Sequence, residues 1–200
     1  MCKFLVVGWL LVWPGWAGQP GRWMSLFDGK SLAGWRAEGK ADWSAQDGAM
    51  VGRQGPGNAP GDLYTTAEWA DFELECEFKV VWPANSGIWF RRSAAQPGYQ
   101  ADILDEAAYP DTFSGSLYAM GTGFLVKNGD ARSVNKNGWN RLRLRAVGQE
   151  IVITLNGKTV VKTSDNRFLQ AGSIGIQVHP GDRYKDMEIR VRKIRVRPVS

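Results

Sequence analysis

Helical periodicity is what this 200-residue chain most plainly lacks. No window of about 12 residues or more repeats apolar side chains at helical spacing, which argues against bundles and against sheets wrapped in helices. Cysteine is almost missing, with only Cys2 and Cys76, so a disulfide scaffold is excluded. Histidine occurs once, at His179, too few for a histidine-rich metal site. The chain also has no long Pro/Ser-rich linker, no block of like charge and no internal repeat, so one domain is expected. Its longest apolar stretch, Phe4 to Trp13, falls short of the ~20 residues that span a bilayer.

That stretch follows Lys3 and leads to Pro14-Gly15-Trp16-Ala17. A basic start, a short apolar segment and a small-residue exit are the pattern of a secretory signal peptide. Residues 1–17 are therefore expected to be a signal peptide and residues 18–200 a single domain, exported to the periplasm or secreted. Cys2 precedes the apolar segment and is not placed as a lipid anchor, so no membrane attachment is expected after cleavage. Cleavage would lower the formal net charge from +5 to +4 through loss of Lys3. Cys76 alternates in phase with Phe72, Leu74 and Phe78, as a small buried hydrophobe does.

What is present is period two. Candidate strands run over about 49–53, 62–66, 71–81, 86–92, 98–104, 115–119, 139–147, 150–155, 158–163, 173–179 and 186–197. Many short strands with Gly-rich turns predict an all-β antiparallel sandwich of the jelly-roll kind. Asn156-Gly157 between Ile151–Leu155 and Lys158–Lys162 predicts a type I′ hairpin. Met187, Ile189 and Val191 change parity with Ile194 and Val196, which predicts a bulge near Arg192-Lys193. Segments 54–61 and 120–138 read as loops, the second long enough to cover a site. Arg141, Arg143, Arg145 and the basic run 190–197 alternate with apolar residues, as on a solvated strand face. They lack interleaved stacking aromatics, and no nucleic-acid partner is expected. Glu73, Glu75 and Glu77 share one face and read as a solvated edge.

Alternation sorts three strands alike. Ile88 and Phe90 oppose Trp89 and Arg91; Tyr99, Ala101 and Ile103 oppose Gln100 and Asp102; Ile174, Ile176 and Val178 oppose Gly175, Gln177 and His179. Leu117 likewise opposes Tyr118. With the apolar sides inward, one sheet face presents Trp89, Arg91, Gln100, Asp102, Tyr118, Gln177 and His179. An aromatic plate, amide and carboxylate partners for hydroxyls, and proton-transfer groups suit a carbohydrate.

Nine pieces in order, among them Leu26–Trp35, Asn85-Ser-Gly-Ile-Trp-Phe-Arg91, Gly98-Tyr-Gln-Ala-Asp-Ile103, Gly115-Ser-Leu-Tyr118 and Gly175-Ile-Gln-Val-His179, resemble the 3-keto-disaccharide hydrolase domain family, with its concanavalin A-like lectin/glucanase fold. Many members resemble a Glu-x-Gln-Ile-Leu-Asp form of the central strand, where this chain has Gln100-Ala-Asp102-Ile-Leu-Asp105. The resemblance implies cleavage of 3-keto-glycosides by C2 proton abstraction, β-elimination and hydration. On that reading His179 or Asp102 is the base, Arg91 steadies the enolate and Tyr118 is the acid, while Trp89, Gln100 and Gln177 hold the sugar. A divalent ion, calcium or another, is admitted by resemblance alone, with Gln100, Asp102 and His179, or Asp105 and Glu106, as oxygen and nitrogen donors. The alternative is a carbohydrate-binding module without turnover. A retaining glycosidase, which needs two carboxyls about 5–5.5 Å apart, is disfavoured because Asp102 and Asp105 differ in parity.

Overall fold

The structure is a computed structural model that describes residues 21–104 and 109–199. The segment assigned to a signal peptide, and Asp105 and Glu106, lie outside the described residues. Fifteen strands are described: β1 (Met24–Ser25), β2 (Trp35–Gly39), β3 (Asp42–Gln46), β4 (Ala49–Arg53), β5 (Gly61–Trp69), β6 (Phe72–Val80), β7 (Asn85–Arg92) and β8 (Tyr99–Leu104), then β9 (Phe113–Ala119), β10 (Gly123–Asn128), β11 (Asn140–Val147), β12 (Glu150–Leu155), β13 (Lys158–Ser164), β14 (Gly172–Val178) and β15 (Glu188–Pro198). They form two antiparallel sheets packed as a sandwich. One has the order β13-β12-β11-β6-β15-β4-β3, with β1 also on β15; the other has the order β10-β9-β8-β7-β14-β5-β2.

Alternation explains the packing. Phe72, Leu74, Cys76 and Phe78 of β6 meet Ile88, Phe90, Tyr99, Ile103, Ile174 and Ile176 of the facing sheet in one core. Each such aliphatic or aromatic side chain, fully buried, contributes about 1.5–3 kcal/mol. Cys76 is 2% exposed, and burial pushes its thiol up to about 12, which leaves it inert as a nucleophile. The Asn156-Gly157 hairpin forms as expected, with both residues at positive φ (50° and 86°). The bulge in β15 falls where parity placed it: Lys193 has φ 49° and the register shifts between Arg192 and Arg195. Val191 and Ile194 thus both face the core.

Two sequence expectations are corrected. Segment 120–138 is not a loop throughout, because β10 adds an outer strand to β9. Glu73, Glu75 and Glu77 do not lie on an edge either, since β6 sits mid-sheet between β11 and β15. Register sets Glu73, Glu75 and Glu77 opposite Arg145, Arg143 and Arg141 on one side and Arg197, Arg195 and Arg192 on the other. Glu75 alone pairs with Arg141 at 3.0 Å, Arg143 at 2.8 Å and Arg195 at 2.7 Å. Period two reported the outward face correctly. Carboxylates flanked by arginines on both neighbours can occupy a central strand, and that pairing is non-local.

Candidate functional site

The outer face of the seven-stranded sheet carries the chemistry. One transverse row crosses all its strands in register: Arg36, Tyr64, Gly175, Trp89, Gln100, Tyr118 and Phe124. In the adjacent row, Asp62 pairs with Gln177 and Gly87 pairs with Asp102. Glycine at position 87 is a packing requirement. A Cβ there would lie 2.6 Å from Gln100 Cγ and Cδ, so its absence lets the Gln100 side chain cross β7. Gln100 Nε2 then donates to Gln177 Oε1 at 3.0 Å.

These rows border a cleft of about 170 Å³ lined by Asn85, Trp89, Gln100, Asp102, Tyr118, Gln177 and His179, among others. Its volume is below the ~300 Å³ of drug-sized pockets and suits one sugar ring. A larger hollow of about 380 Å³ beside Leu26, Phe27, Thr66 and Trp69 is mostly apolar, with Asp28 as its one ionisable group. It lacks the converging amides and acids of the smaller cleft.

Six of the seven site residues expected from the sequence therefore meet around one cleft. Asp102 is 3% exposed, and its Oδ1 is buried without a hydrogen-bond partner. Burial pushes its carboxyl well above the usual carboxylate range. His179 follows β14 directly. Its Nδ1 lies 2.8 Å from the Pro180 carbonyl oxygen; a carbonyl only accepts, so Nδ1 is a donor, and in the neutral ring the lone pair is on Nε2. Gln54 fixes that turn by donating from Nε2 to the His179 oxygen at 2.7 Å and the Gly181 oxygen at 3.0 Å. His179 also stands edge-on to Tyr184, 5.7 Å between ring centres.

Arg91 is the exception. It does not share the Trp89 face, because β7 bulges there: the register with β14 shifts between Ser173↔Arg92 and Gly175↔Trp89, and Arg91 takes φ 54°. Its side chain is fully buried and donates to the carbonyls of Ala70 (2.6 Å), Gly148 (2.9 Å) and Phe168 (3.2 Å) and to Asp71 Oδ1 (3.0 Å). A guanidinium committed to four acceptors away from the cleft cannot steady a substrate enolate. Trp89 is corrected in a smaller way. Its ring is 1% exposed, covered by the Arg92 guanidinium at 5.7 Å, so it forms the floor of the cleft and is not an open plate.

Sequence reasoning missed the aromatic wall. Tyr109, Phe124 and Tyr118 stack edge-to-face in series, with ring centres 5.6 and 5.5 Å apart. It also missed Asp62, which accepts from Tyr64 Oη at 2.7 Å and is pushed upward chiefly by burial. Trp89 Nε1 has no hydrogen-bond partner by geometry, yet the indole is near enough to favour the ionised form of Asp62. Gln100, Asp102 and His179 share the cleft; among the described residues no group of three or more His, Cys, Asp and Glu gathers.

Known proteins agree with this picture at the level of family and fold. Residues 22–197 match the 3-keto-alpha-glucoside-1,2-lyase-like domain. Over 77 residues the chain is 38% identical to a 3-keto-disaccharide hydrolase of Bacteroides thetaiotaomicron; the match takes in 34% of this chain and spans only 27% of that relative's length. A putative glycosyl hydrolase from Parabacteroides distasonis has the same fold, with a TM-score of 0.68 and 22% identity over 90% of this chain and 100% of the other. The carbohydrate-binding module CBM66 of Bacillus subtilis does too, with a TM-score of 0.63 and 18% identity over 80% of this chain and 93% of the module. The chain belongs to the 3-keto-alpha-glucoside-1,2-lyase-like domain family, a glycoside-acting family built here on a lectin-like β-sandwich.

Proposed function

We propose that the protein cleaves 3-keto-glycosides by β-elimination followed by hydration, with Asp102 as the base. The observation that carries this reading is a buried carboxyl with an unpartnered oxygen in an amide-lined cleft. A ketone at C3 acidifies the C2–H bond. Asp102 takes that proton, the electron pair moves into the C3 enolate, and collapse of the enolate breaks the C1–O bond. Tyr118, on the neighbouring strand β9, protonates the leaving oxygen. The product is a C1=C2 enone, and water adding at C1 with a proton returned to C2 gives net hydrolysis. His179 Nε2 accepts the proton of that water. With Arg91 committed elsewhere, the cleft-lining amides of Asn85, Gln100 and Gln177 are donors available to the enolate oxygen.

A binding module would use the aromatic wall and the amides but would have no use for an unpaired buried carboxyl, whose desolvation is unfavourable. Incubation with a 3-keto-disaccharide separates the two readings: release of free sugar supports the enzyme, and saturable binding without release refutes it. In His179→Ala, elimination should continue while hydration slows, so the conjugated enone accumulates and is read by its ultraviolet absorbance. An unchanged time course would remove His179 from the hydration step.

Gly87→Ala is expected to push the Gln100 amide off Gln177 and raise KM by about tenfold, the equivalent of one lost hydrogen bond. Position 87 has no positive φ and its nearest neighbour is a flexible side chain, so the fold should be kept. Michaelis kinetics on the same substrate check it.

A further inference from the structure

The positive charge of the chain is not spread over its surface. Strands β6, β11 and β15 point their charged residues away from the core. Lys79, the three arginines of β11 and the five cations of β15 make nine, against Glu73, Glu75, Glu77 and Glu188. The excess of five equals the formal net charge of the entire chain, +5. Everything outside these three neighbouring strands sums to zero.

Depth separates the two signs as well. The side chains of Glu73, Glu75 and Glu77 are 8–22% exposed, whereas the arginines and Lys193 paired with them are 33–67% exposed. The short carboxylates lie against the sheet and the guanidiniums reach over them. Burial pushes the Glu75 and Glu77 carboxyls up, but the hydrogen bonds from Arg195 and Arg141, and from Lys193 and Arg192, outweigh it and hold both below the usual range. They stay ionised and keep the cations in place. An approaching molecule meets a flat array of cations fixed at the ~4.8 Å spacing of strands.

We propose that this outer face, on the sheet opposite the cleft, binds a carboxylate-bearing polysaccharide. Arginine predominates over lysine seven to two on these strands, and its planar fork matches a carboxylate with two parallel hydrogen bonds. The indoles at this face, Trp139 and Trp23, are already capped by Arg192 at 3.9 Å and by Arg195 at 4.5 Å. They are not free to stack on bases, which favours a polyuronate over a single-stranded nucleic acid.

The test uses polygalacturonate, with neutral dextran, duplex DNA and anionic phosphatidylserine vesicles as comparisons. Polygalacturonate should bind and dextran should not, and affinity should fall by at least about tenfold between about 50 and 200 mM salt. The triple variant Lys79→Gln/Arg143→Gln/Lys193→Gln leaves Glu75 with Arg141 and Arg195 and leaves Glu77 with Arg192. It should lose at least about tenfold in affinity for the polymer with the melting temperature and the turnover of a small 3-keto-disaccharide unchanged. If the triple variant folds poorly, Lys79→Gln/Lys193→Gln serves, with a smaller loss expected. No binding at low salt, equal affinity of variant and wild type, or tighter binding to DNA or vesicles would each overturn the assignment. None of these outcomes bears on the cleft, whose activity is read separately.

Discussion

Asp102→Asn is expected to lower turnover of a 3-keto-disaccharide by at least about a hundredfold, with no loss of stability at neutral pH. The two effects have one cause. Burial without a partner makes the carboxylate a stronger base and, at the same time, an unfavourable charge to keep inside the fold. The native carboxyl holds its proton more tightly than the unfolded chain does. Its contribution to stability is therefore full below the ordinary value of 3.8 and is lost as pH rises through the raised native value. The wild type loses that contribution progressively as pH rises above the ordinary value, whereas the neutral amide has nothing to lose. Thermal melting at pH 7 should show the variant equal to or above the wild type, while enone formation is nearly abolished. In the wild type, the acid limb of kcat/KM should fall above the range of an exposed aspartate. Full activity in the variant would transfer the base role away from Asp102. A large drop in melting temperature would instead mean that its carboxyl is structurally paired.

The contrast between Asp102 and Arg91 shows how far a sequence pattern reaches. Gln100 and Asp102 were legible as cleft residues because β8 is regular, and alternation there turns parity directly into sidedness. The β15 bulge was legible too, since the core phase of Val191 and Ile194 could be kept in no other way. The β7 bulge left no such trace. It falls after Phe90, the last core residue of the strand, where no later apolar side chain records the slip, and an ordinary arginine occupies the positive-φ position. Gly172 is the faint signal: a Cβ there would sit 2.4 Å from the Arg91 carbonyl carbon, a close approach that only the folded pairing reveals. The wall of Tyr109, Tyr118 and Phe124 was hidden for another reason. Phe124 belongs to a strand whose sequence, Gly-Phe-Leu-Val-Lys-Asn, does not alternate, and its burial pattern does not either. Within one strand, local chemistry sets the face; which strands become neighbours is decided by contacts that no local window contains.

Loss of the Arg91 guanidinium should be among the most destabilising single changes in the protein, and it should leave the cleft intact. Arg91→Ala removes four donated hydrogen bonds that tie the β5–β6 turn at Ala70 and Asp71, the β11–β12 turn at Gly148 and the segment at Phe168 to the end of β7. Those carbonyls lose a charged donor, and a fully buried volume is emptied. Asp71 Oδ1 keeps its bond from the Gly148 amide at 2.8 Å and is partly exposed, so little of the cost comes from a stranded anion. Breaking such a buried charged network is worth about 3–5 kcal/mol, a fall of roughly 10 °C in melting temperature for a domain of this size. Arg91→Lys keeps the charge but cannot place donors on several diverging acceptors, so it should recover only part of the loss. Below the transition, kcat and KM for a 3-keto-disaccharide should stay near wild type, because Gln100, Asp102, Gln177 and His179 make no contact through Arg91. Had Arg91 acted on the enolate, as the family resemblance implied, kcat would collapse with the fold still intact. Melting curves and steady-state kinetics on the same preparation therefore decide between a clamp and a catalyst.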